Sequence, residues 1–153
     1  HRDLHSFPTR RSSDLCAKLI LINIMDDLIV KKSKIHGQGV FANRDFRKGE
    51  KVLAWDLSHK ILKKKVEKLS PEAKRGTFFW RGRYYVATGF GKYLNHSCDA
   101  NTYAKKACDF AKKNIKKGEE ITIDMSQETV VGPRTKCHCG SRNCRGWVEL
   151  KDV

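Results

Sequence analysis

The chain has little proline, few acidic residues and no long hydrophobic run. Only 3 of its 153 residues are proline and apolar segments recur along it, which is not the composition of a disordered protein. No segment approaches the ~20 apolar residues of a membrane-spanning helix, so we expect no membrane partner. The length suits one domain that buries roughly two thirds of its unfolded surface, for which a bound metal would add useful stability.

Acidic residues are outnumbered, with 17 Asp and Glu against 32 Lys and Arg, a formal net charge of +15. Such a surface suits an acidic partner, or nucleic acid and protein bound to nucleic acid. A solvated basic face explains any single lysine run at least as well. Aromatic residues are not interleaved with the lysines as a base-stacking platform would require, so a basic nucleic-acid-associated module is the alternative and not the first interpretation.

Residues 5–15, HSFPTRRSSDL, match the translation of a common sequencing-library adapter through all eleven positions. We therefore interpret residues 1–24 as adapter artefact and upstream translation, and we expect the native chain to begin at Met25. The alternative is a signal-peptide core over residues 15–25. Lys18 and Asn23 interrupt that core, and no small-residue cleavage site follows it.

Short strand patterns predominate after Met25. The strand-like segments are Leu28–Val30, Lys51–Trp55, Thr77–Trp80, Arg83–Thr88 and Glu120–Asp124. Arg81-Gly82 lies between two of them and predicts a hairpin. Ile61–Lys74 fits either a helix or two short turns, with a helix start at Ser70-Pro71. Several short strands with little helix predict a mainly β domain with a minor α component.

Three thiols lie within eight residues of the C-terminal part, at Cys137, Cys139 and Cys144. Zinc takes four thiolates tetrahedrally, so three close cysteines leave one position open. The candidates for the fourth ligand are Cys16, Cys98, Cys108 and His138. Disulfides or unrelated buried thiols are the alternatives, but a disulfide framework calls for a secretion signal, and we recognise none.

Four segments, in this order, resemble a SET domain followed by a post-SET motif. They are KSKIHGQGVFA (Lys32–Ala42), GKYLNHSCDAN (Gly91–Asn101), IKKGEEITID (Ile115–Asp124) and CHCGSRNCRGW (Cys137–Trp147). The short spacing between them resembles the compact SET proteins of bacteria. The resemblance implies a SET domain over residues 25–126, a linker over 127–135 and a post-SET zinc motif over 136–149.

The resemblance also implies a protein-lysine methyltransferase that uses S-adenosylmethionine and holds one zinc ion. Its fold would be a pseudoknot of small β-sheets, a rare kind of threading. The threading would bring Asn95 and His96 beside the Gly37–Gly39 loop. By family analogy the methyl donor is held by Ile35, His36, Gly37, Gly39, Asn95 and His96, and the zinc by Cys98, Cys137, Cys139 and Cys144.

The chemistry sets requirements for such a site. Free lysine has a pKa near ~10.4, so making it neutral at pH 7 costs roughly 4–5 kcal/mol. A narrow apolar channel beside a positive sulfonium favours the neutral amine by desolvation and like-charge repulsion. Oxygen atoms around the methyl group add weak C–H···O contacts. The site therefore needs aromatic walls and a well-placed hydroxyl.

The active-site end of this chain departs from the family. Met125 stands where the family usually has a tyrosine whose hydroxyl lines the methyl-transfer pore, and Trp55 stands where many relatives carry a channel tyrosine. Tyr84, Tyr85, Tyr93 and Tyr103 remain as candidate hydroxyl donors, although packing explains each of them as well. Trp147 is a candidate wall of the lysine channel. Met125 therefore implies weak activity, an altered pore, or a catalytically inactive SET-like binding protein.

The implied partner is a protein substrate lysine, in an acidic or nucleic-acid-bound protein. We expect the chain to act as a monomer. The expected location is the cytoplasm if the source is bacterial, and the nucleus or chromatin if the protein is eukaryotic or an exported effector.

Overall fold

The computed structural model of the chain describes residues 27–152. The expected adapter segment and the expected start at Met25 lie outside the described residues. The strands are β1 (Leu28–Lys32), β2 (Gln38–Ala42), β3 (Lys51–Ala54), β4 (Lys60–Ile61), β5 (Thr77–Trp80), β6 (Arg83–Val86), β7 (Asn95–His96), β8 (Thr102–Lys105), β9 (Cys108–Ala111), β10 (Glu120–Ile123), β11 (Thr135–Lys136) and β12 (Trp147–Val148). The helices are α1 (Lys63–Val66), α2 (Pro71–Arg75) and a 3₁₀ helix (Gly89–Tyr93).

The strands of the described part of the chain form four small sheets, ordered β1-β2-β10-β7, β3-β9-β8, β4-β6-β5 and β11-β12. Strand β2 lies antiparallel to both β1 and β10, so Val40 pairs with Val30 on one side and Ile121 on the other. Strand β7 lies parallel to β10. This arrangement confirms the mainly β fold class that the strand patterns predict.

The predicted hairpin forms between β5 and β6. Arg81 and Gly82 at its turn have φ of 45° and 79°. Two successive positive φ values match the right-handed twist of the flanking strands. The register runs from Thr77 opposite Val86 to Trp80 opposite Arg83.

The ambiguous segment Ile61–Lys74 folds as two short helices and not as one. Ser70 begins the second, since its hydroxyl accepts a hydrogen bond from the Ala73 amide at 3.2 Å and Pro71 occupies the first turn. In residues 27–152, none of the helices has the length and apolar character needed to cross a membrane.

The hydrophobic core gathers side chains from β1, β2, β3, β9 and β10 around Phe46 and Ile115. Phe46 and Ile115 pair through their backbones, and both side chains are at most 1% exposed. Burying a side chain of this size contributes roughly 1.5–3 kcal/mol. The alternation of Glu120–Asp124 predicts one buried face, but Ile121–Asp124 are all buried. Strand β10 is an inner strand covered on both faces, which the sequence pattern alone does not reveal.

The chain after β10 returns to the β5–β6 hairpin. The Phe79 amide donates to the Thr129 carbonyl at 2.9 Å, and Val130 pairs with Phe78. The Val131 amide donates to the Thr77 carbonyl, also at 2.9 Å. This path brings the residues that follow β10 to the same region as the hairpin and β7.

Candidate functional site

Asn95 joins the turn before β2 to strand β10. Its side-chain nitrogen lies 3.1 Å from the His36 carbonyl, 3.0 Å from the Gln38 carbonyl and 2.8 Å from Glu120 Oε1. The Ser33 hydroxyl donates to the same Glu120 carboxylate at 2.8 Å. The predicted juxtaposition of Asn95 with the Gly37–Gly39 loop is therefore confirmed. Glu120 was missed by the sequence reasoning, since its partners lie far away in sequence.

The two glycines of this loop have different roles. Gly37 has a φ of +48°, a conformation that glycine adopts without strain. Gly39 has no such φ, but a Cβ there would collide with the Glu120 carboxylate and lie 3.1 Å from the Asn95 side-chain nitrogen. Gly39 therefore allows these two side chains to pack closely against the loop.

His96 links the end of β10 to a thiol. Its Nδ1 accepts a hydrogen bond from the Met125 amide at 3.2 Å, so Nε2 carries the ring proton toward Cys98 Sγ, also at 3.2 Å. Burial lowers the pKa of His96, although the nearby Asp124 acts in the opposite direction. The ring is therefore neutral and held at both nitrogens.

Four thiols converge next to His96. The sulfur atoms of Cys98, Cys137, Cys139 and Cys144 all lie within 4.8 Å of one another. Cys98 and Cys137 are 3.7 Å apart, close to the roughly 3.8 Å edge of a tetrahedron with Zn–S bonds of ~2.3 Å. Burial raises the pKa of the Cys137 thiol, and a bound metal would favour its thiolate form. The donor set fits zinc, and Cys108 lies apart in β9.

Arg145 fastens this cysteine loop, residues 137–146, to the end of β10. Its guanidinium donates to Asp124 at 2.6 Å, and its backbone amide lies 3.4 Å from Cys98 Sγ. Asp124 in turn lies 3.6 Å from the His96 ring. The sequence reasoning did not single out Arg145, because nothing in its neighbourhood marks a partner in β10.

A cavity of about 730 Å³ lies between the loop before β2, β3, β5, β7 and the cysteine loop. Six of the predicted donor and channel residues line it: Ile35, His36, Trp55, Asn95, His96 and Met125. Phe78, Phe90, Leu94 and Ile123 add apolar walls. Cys137 and Cys139 also line it, so the thiol cluster closes one end of the cavity.

Tyr93 and Tyr103, expected as hydroxyl donors, lie outside the lining of this cavity. Tyr93 ends the 3₁₀ helix and packs against the core, with the Lys92 ammonium 4.6 Å from its ring centre. Tyr103 stacks on Phe110 at 5.9 Å and is 40% exposed. Both rings are held by packing, and neither lines the cavity.

Trp147 also lies outside the cavity lining, although the sequence suggested it as a channel wall. It is 44% exposed and stacks under the Arg134 guanidinium at 4.5 Å. Its neighbour Val148 is buried and lines the cavity instead. Successive side chains of a strand point to opposite faces, so when Trp147 of β12 faces outward, Val148 faces the cavity.

Trp55, in the cavity wall, forms a hydrogen bond with a buried carboxyl group. Its indole N–H donates to Asp109 Oδ2 at 3.0 Å, and its ring packs edge to face on Phe78 and Trp80. Asp109 is 1% exposed, and burial raises its pKa to about 7. Glu128 lines the same cavity. Burial, and then the charges of Asp109 and Asp124, raise its pKa to about 8.

Comparison with known proteins points to a single family. Residues 37–125 match the SET domain family. The chain is 29% identical over 140 residues to Histone-lysine N-methyltransferase 2D of Homo sapiens, covering 80% of this chain and 2% of that protein. It is 33% identical over 135 residues to Histone H3-lysine(4) N-trimethyltransferase ATX1 of Arabidopsis thaliana, covering 76% of this chain and 13% of that protein. The chain thus spans a small part of the length of these relatives.

Among solved structures, the methyltransferase domain of human Histone-lysine N-methyltransferase SETMAR superposes with a TM-score of 0.63 at 19% identity. The match covers 82% of this chain and 59% of that one. At this identity the likeness concerns the fold alone. It confirms a SET-like fold of small β-sheets.

Proposed function

This chain belongs to the SET domain family, and from that premise we propose that it transfers methyl groups from S-adenosylmethionine to lysine side chains of protein. The relatives named as histone-lysine methyltransferases support this activity class. The observation that carries the proposal is the arrangement of Asn95, His96 and the loop before β2 around one cavity.

The donor would be held by the loop before β2 together with β7. His36 and Ile35 line the cavity on one side, and Asn95 and His96 on the other. Asn95 fixes the loop by its hydrogen bonds to two loop carbonyls. When bound, S-adenosylmethionine would supply an activated methyl group on a positive sulfonium.

The remaining cavity would hold the lysine side chain. Trp55, Phe78 and Met125 offer apolar surface to its methylene groups, which orients the amine and excludes water. An amine in such surroundings loses its proton more easily, because burial disfavours the charged form. Met125 provides no hydroxyl, so the pore differs from that of relatives with a tyrosine there.

We propose that the four thiols hold one zinc ion with a structural role. The cluster connects Cys98, two residues after His96, with the cysteine loop that follows residues 127–135. We keep the proposed division into a SET domain (residues 25–126), a linker (127–135) and a post-SET zinc motif (136–149). Zinc would hold the tail over the cavity.

The partner and location follow from the relatives. Their names refer to histones, and both relatives are eukaryotic, which favours a chromatin-associated substrate and a nuclear location over a bacterial cytoplasm. The net charge of +15 favours an acidic or nucleic-acid-bound substrate protein. A monomeric state stays a prediction.

A catalytically weak or inactive binding protein is the second candidate, favoured by Met125 and by the positions of Tyr93 and Tyr103 outside the cavity. Labelled methyl transfer separates the two candidates. Zinc-loaded protein is incubated with labelled S-adenosylmethionine and histones or a cell proteome, and modified lysines are located by mass spectrometry. We expect label on lysine, lost in Asn95→Ala and kept in Asn114→Ala, an exposed asparagine elsewhere. Donor binding without any labelled lysine would support the inactive binding protein.

A further inference from the structure

Two buried carboxyl groups in the cavity have no role in the function proposed so far. Asp109 is 1% exposed and Glu128 is 8% exposed, yet both line the cavity. In residues 27–152, no Lys, Arg or His forms an ion pair with either of them. Buried carboxylates are costly unless a cation or hydrogen bonds compensate them.

The absence of a cationic partner contrasts with the rest of the chain, in which bases outnumber acids almost two to one. Basic side chains do line the same cavity, at Arg75, Lys92 and Lys136. Arg75 pairs with Glu72, and Lys92 lies over Tyr93. None of these cations pairs with the two acids, so a cation that enters the cavity would be the group that stabilises their carboxylate forms.

The surroundings of the pair suit an ammonium on an aliphatic stem. Trp55 presents an aromatic ring and holds one Asp109 oxygen with its indole N–H at 3.0 Å. A cation over such a ring is attracted by the negative face of its π-system. Thr129 also lines the cavity, and its buried hydroxyl has no hydrogen-bond partner within the described chain. An incoming group with N–H donors would satisfy it.

We propose that Asp109 and Glu128 form a cation-binding pair that receives the ammonium of the substrate lysine and takes its proton. The identity of the substrate in this step rests on the proposed function. In the step, one N–H bond of the ammonium breaks and one O–H bond of a carboxyl group forms. The nitrogen keeps its electron pair, and the lysine becomes the neutral amine that methyl transfer requires.

The titration behaviour of the pair agrees with this role. Asp109 faces Trp55 and Glu128, and Glu128 faces Asp109 and Asp124. Burial raises the pKa of Asp109 to about 7, against the hydrogen bond from Trp55. Burial, and then the charges of Asp109 and Asp124, raise the pKa of Glu128 to about 8, against a backbone hydrogen bond from Ala104. A carboxylate with a raised pKa is a stronger base than an exposed one, which makes proton transfer from an ammonium less unfavourable.

The test uses a probe that needs no methyl donor. The full zinc-loaded chain, labelled with ¹⁵N, is titrated with n-butylammonium, which reproduces the lysine side chain, and with 1-butanol as the neutral analogue. The Trp55 indole N–H signal, assigned with Trp55→Phe, reports on Asp109. We expect butylammonium to shift this signal saturably and 1-butanol to leave it unchanged at the same concentrations.

Isosteric variants identify the carboxyl groups. Asp109→Asn/Glu128→Gln should weaken butylammonium binding by about tenfold or more. Glu67→Gln, at an exposed acid directly after α1, should bind as the wild type does. Equal binding of butylammonium and 1-butanol, or undiminished binding by the double variant, would overturn the proposal. Neither result depends on donor binding, so failure of the proposed function would be seen separately.

A measurement on the wild type covers the case in which the double variant does not fold. Carboxyl ¹³C signals of Asp109 and Glu128 are followed against pH with and without butylammonium. Bound cation should lower both pKa values, since it favours the carboxylate forms. Unchanged pKa values at saturating probe would contradict the proposal.

Discussion

At the scale of single residues, Met125 and Trp55 stand where the resemblance to the family predicts tyrosines. Met125 follows β10, and its amide is fixed by His96. Trp55 turns its polar N–H toward Asp109. The polar group of this wall is therefore a carboxyl where the resemblance predicts a phenol.

Introducing a tyrosine at position 125 tests whether Met125 lowers the rate of methyl transfer. Met125→Tyr should raise methyl transfer by about two- to fivefold, the effect of one added C–H···O contact of 0.5–1 kcal/mol. Met125→Phe is the matched control, with the ring but without the hydroxyl. Rates are measured with labelled donor. Equal rates for the Tyr and Phe variants would show that the hydroxyl is not what the pore lacks.

Gly39 is the second residue of interest, because one added carbon atom there should change the stability of the fold. Gly39→Ala should lower the free energy of unfolding by about 1–3 kcal/mol, because its Cβ displaces Glu120 and Asn95. Gly91→Ala is the control, since its nearest neighbour would lie 3.8 Å away. Urea denaturation measures both. A tolerated Gly39→Ala would mean that this contact relaxes at little cost.

At the scale of secondary-structure elements, the sequence predicted features that depend on neighbouring residues better than features that depend on residues far apart in the chain. The β5–β6 hairpin follows from Arg81-Gly82, and the second short helix follows from Ser70-Pro71, because turns and caps depend on neighbouring residues. The cysteine trio was equally visible from its spacing. Asp109 and Glu128 were not recognised, because only the path of the chain after β10 brings both to one cavity.

We expect the zinc cluster to hold the cysteine loop in place. Cys144→Ser should lose zinc and loosen the cysteine loop, since three thiolates bind the metal far less tightly than four. Zinc content and amide hydrogen exchange over residues 137–146 measure the effect.

Cys108→Ser should keep its zinc, because Cys108 lies outside the cluster. Chelating the zinc of the wild type should lower methyl transfer in parallel. Unchanged exchange and turnover in metal-free protein would show that the loop does not depend on metal.

At the scale of the whole molecule, the buried acids make stability depend on pH. The folded pKa values of about 7 for Asp109 and about 8 for Glu128 exceed the ordinary values of 3.8 and 4.5. Between the ordinary and the folded pKa values, the folded state therefore binds more protons than the unfolded state. The free energy of unfolding falls as pH rises through this range. Each carboxyl lowers the free energy of unfolding by at most about 1.4 kcal/mol per pH unit.

Urea denaturation at about pH 5 and about pH 8 tests this sign, since the two values bracket most of the titration. The wild type should lose more stability over this interval than Asp109→Asn/Glu128→Gln. Equal losses would mean that the pair is not buried as described.

The proposed methyl transfer depends on a methyl donor binding in the cavity between the loop before β2 and β7. Isothermal titration calorimetry of zinc-loaded protein with S-adenosylmethionine measures this binding. We expect saturable binding at one site per chain, lost in Asn95→Ala. If fully zinc-loaded, folded protein gives no heat of binding, the cavity is not a donor site.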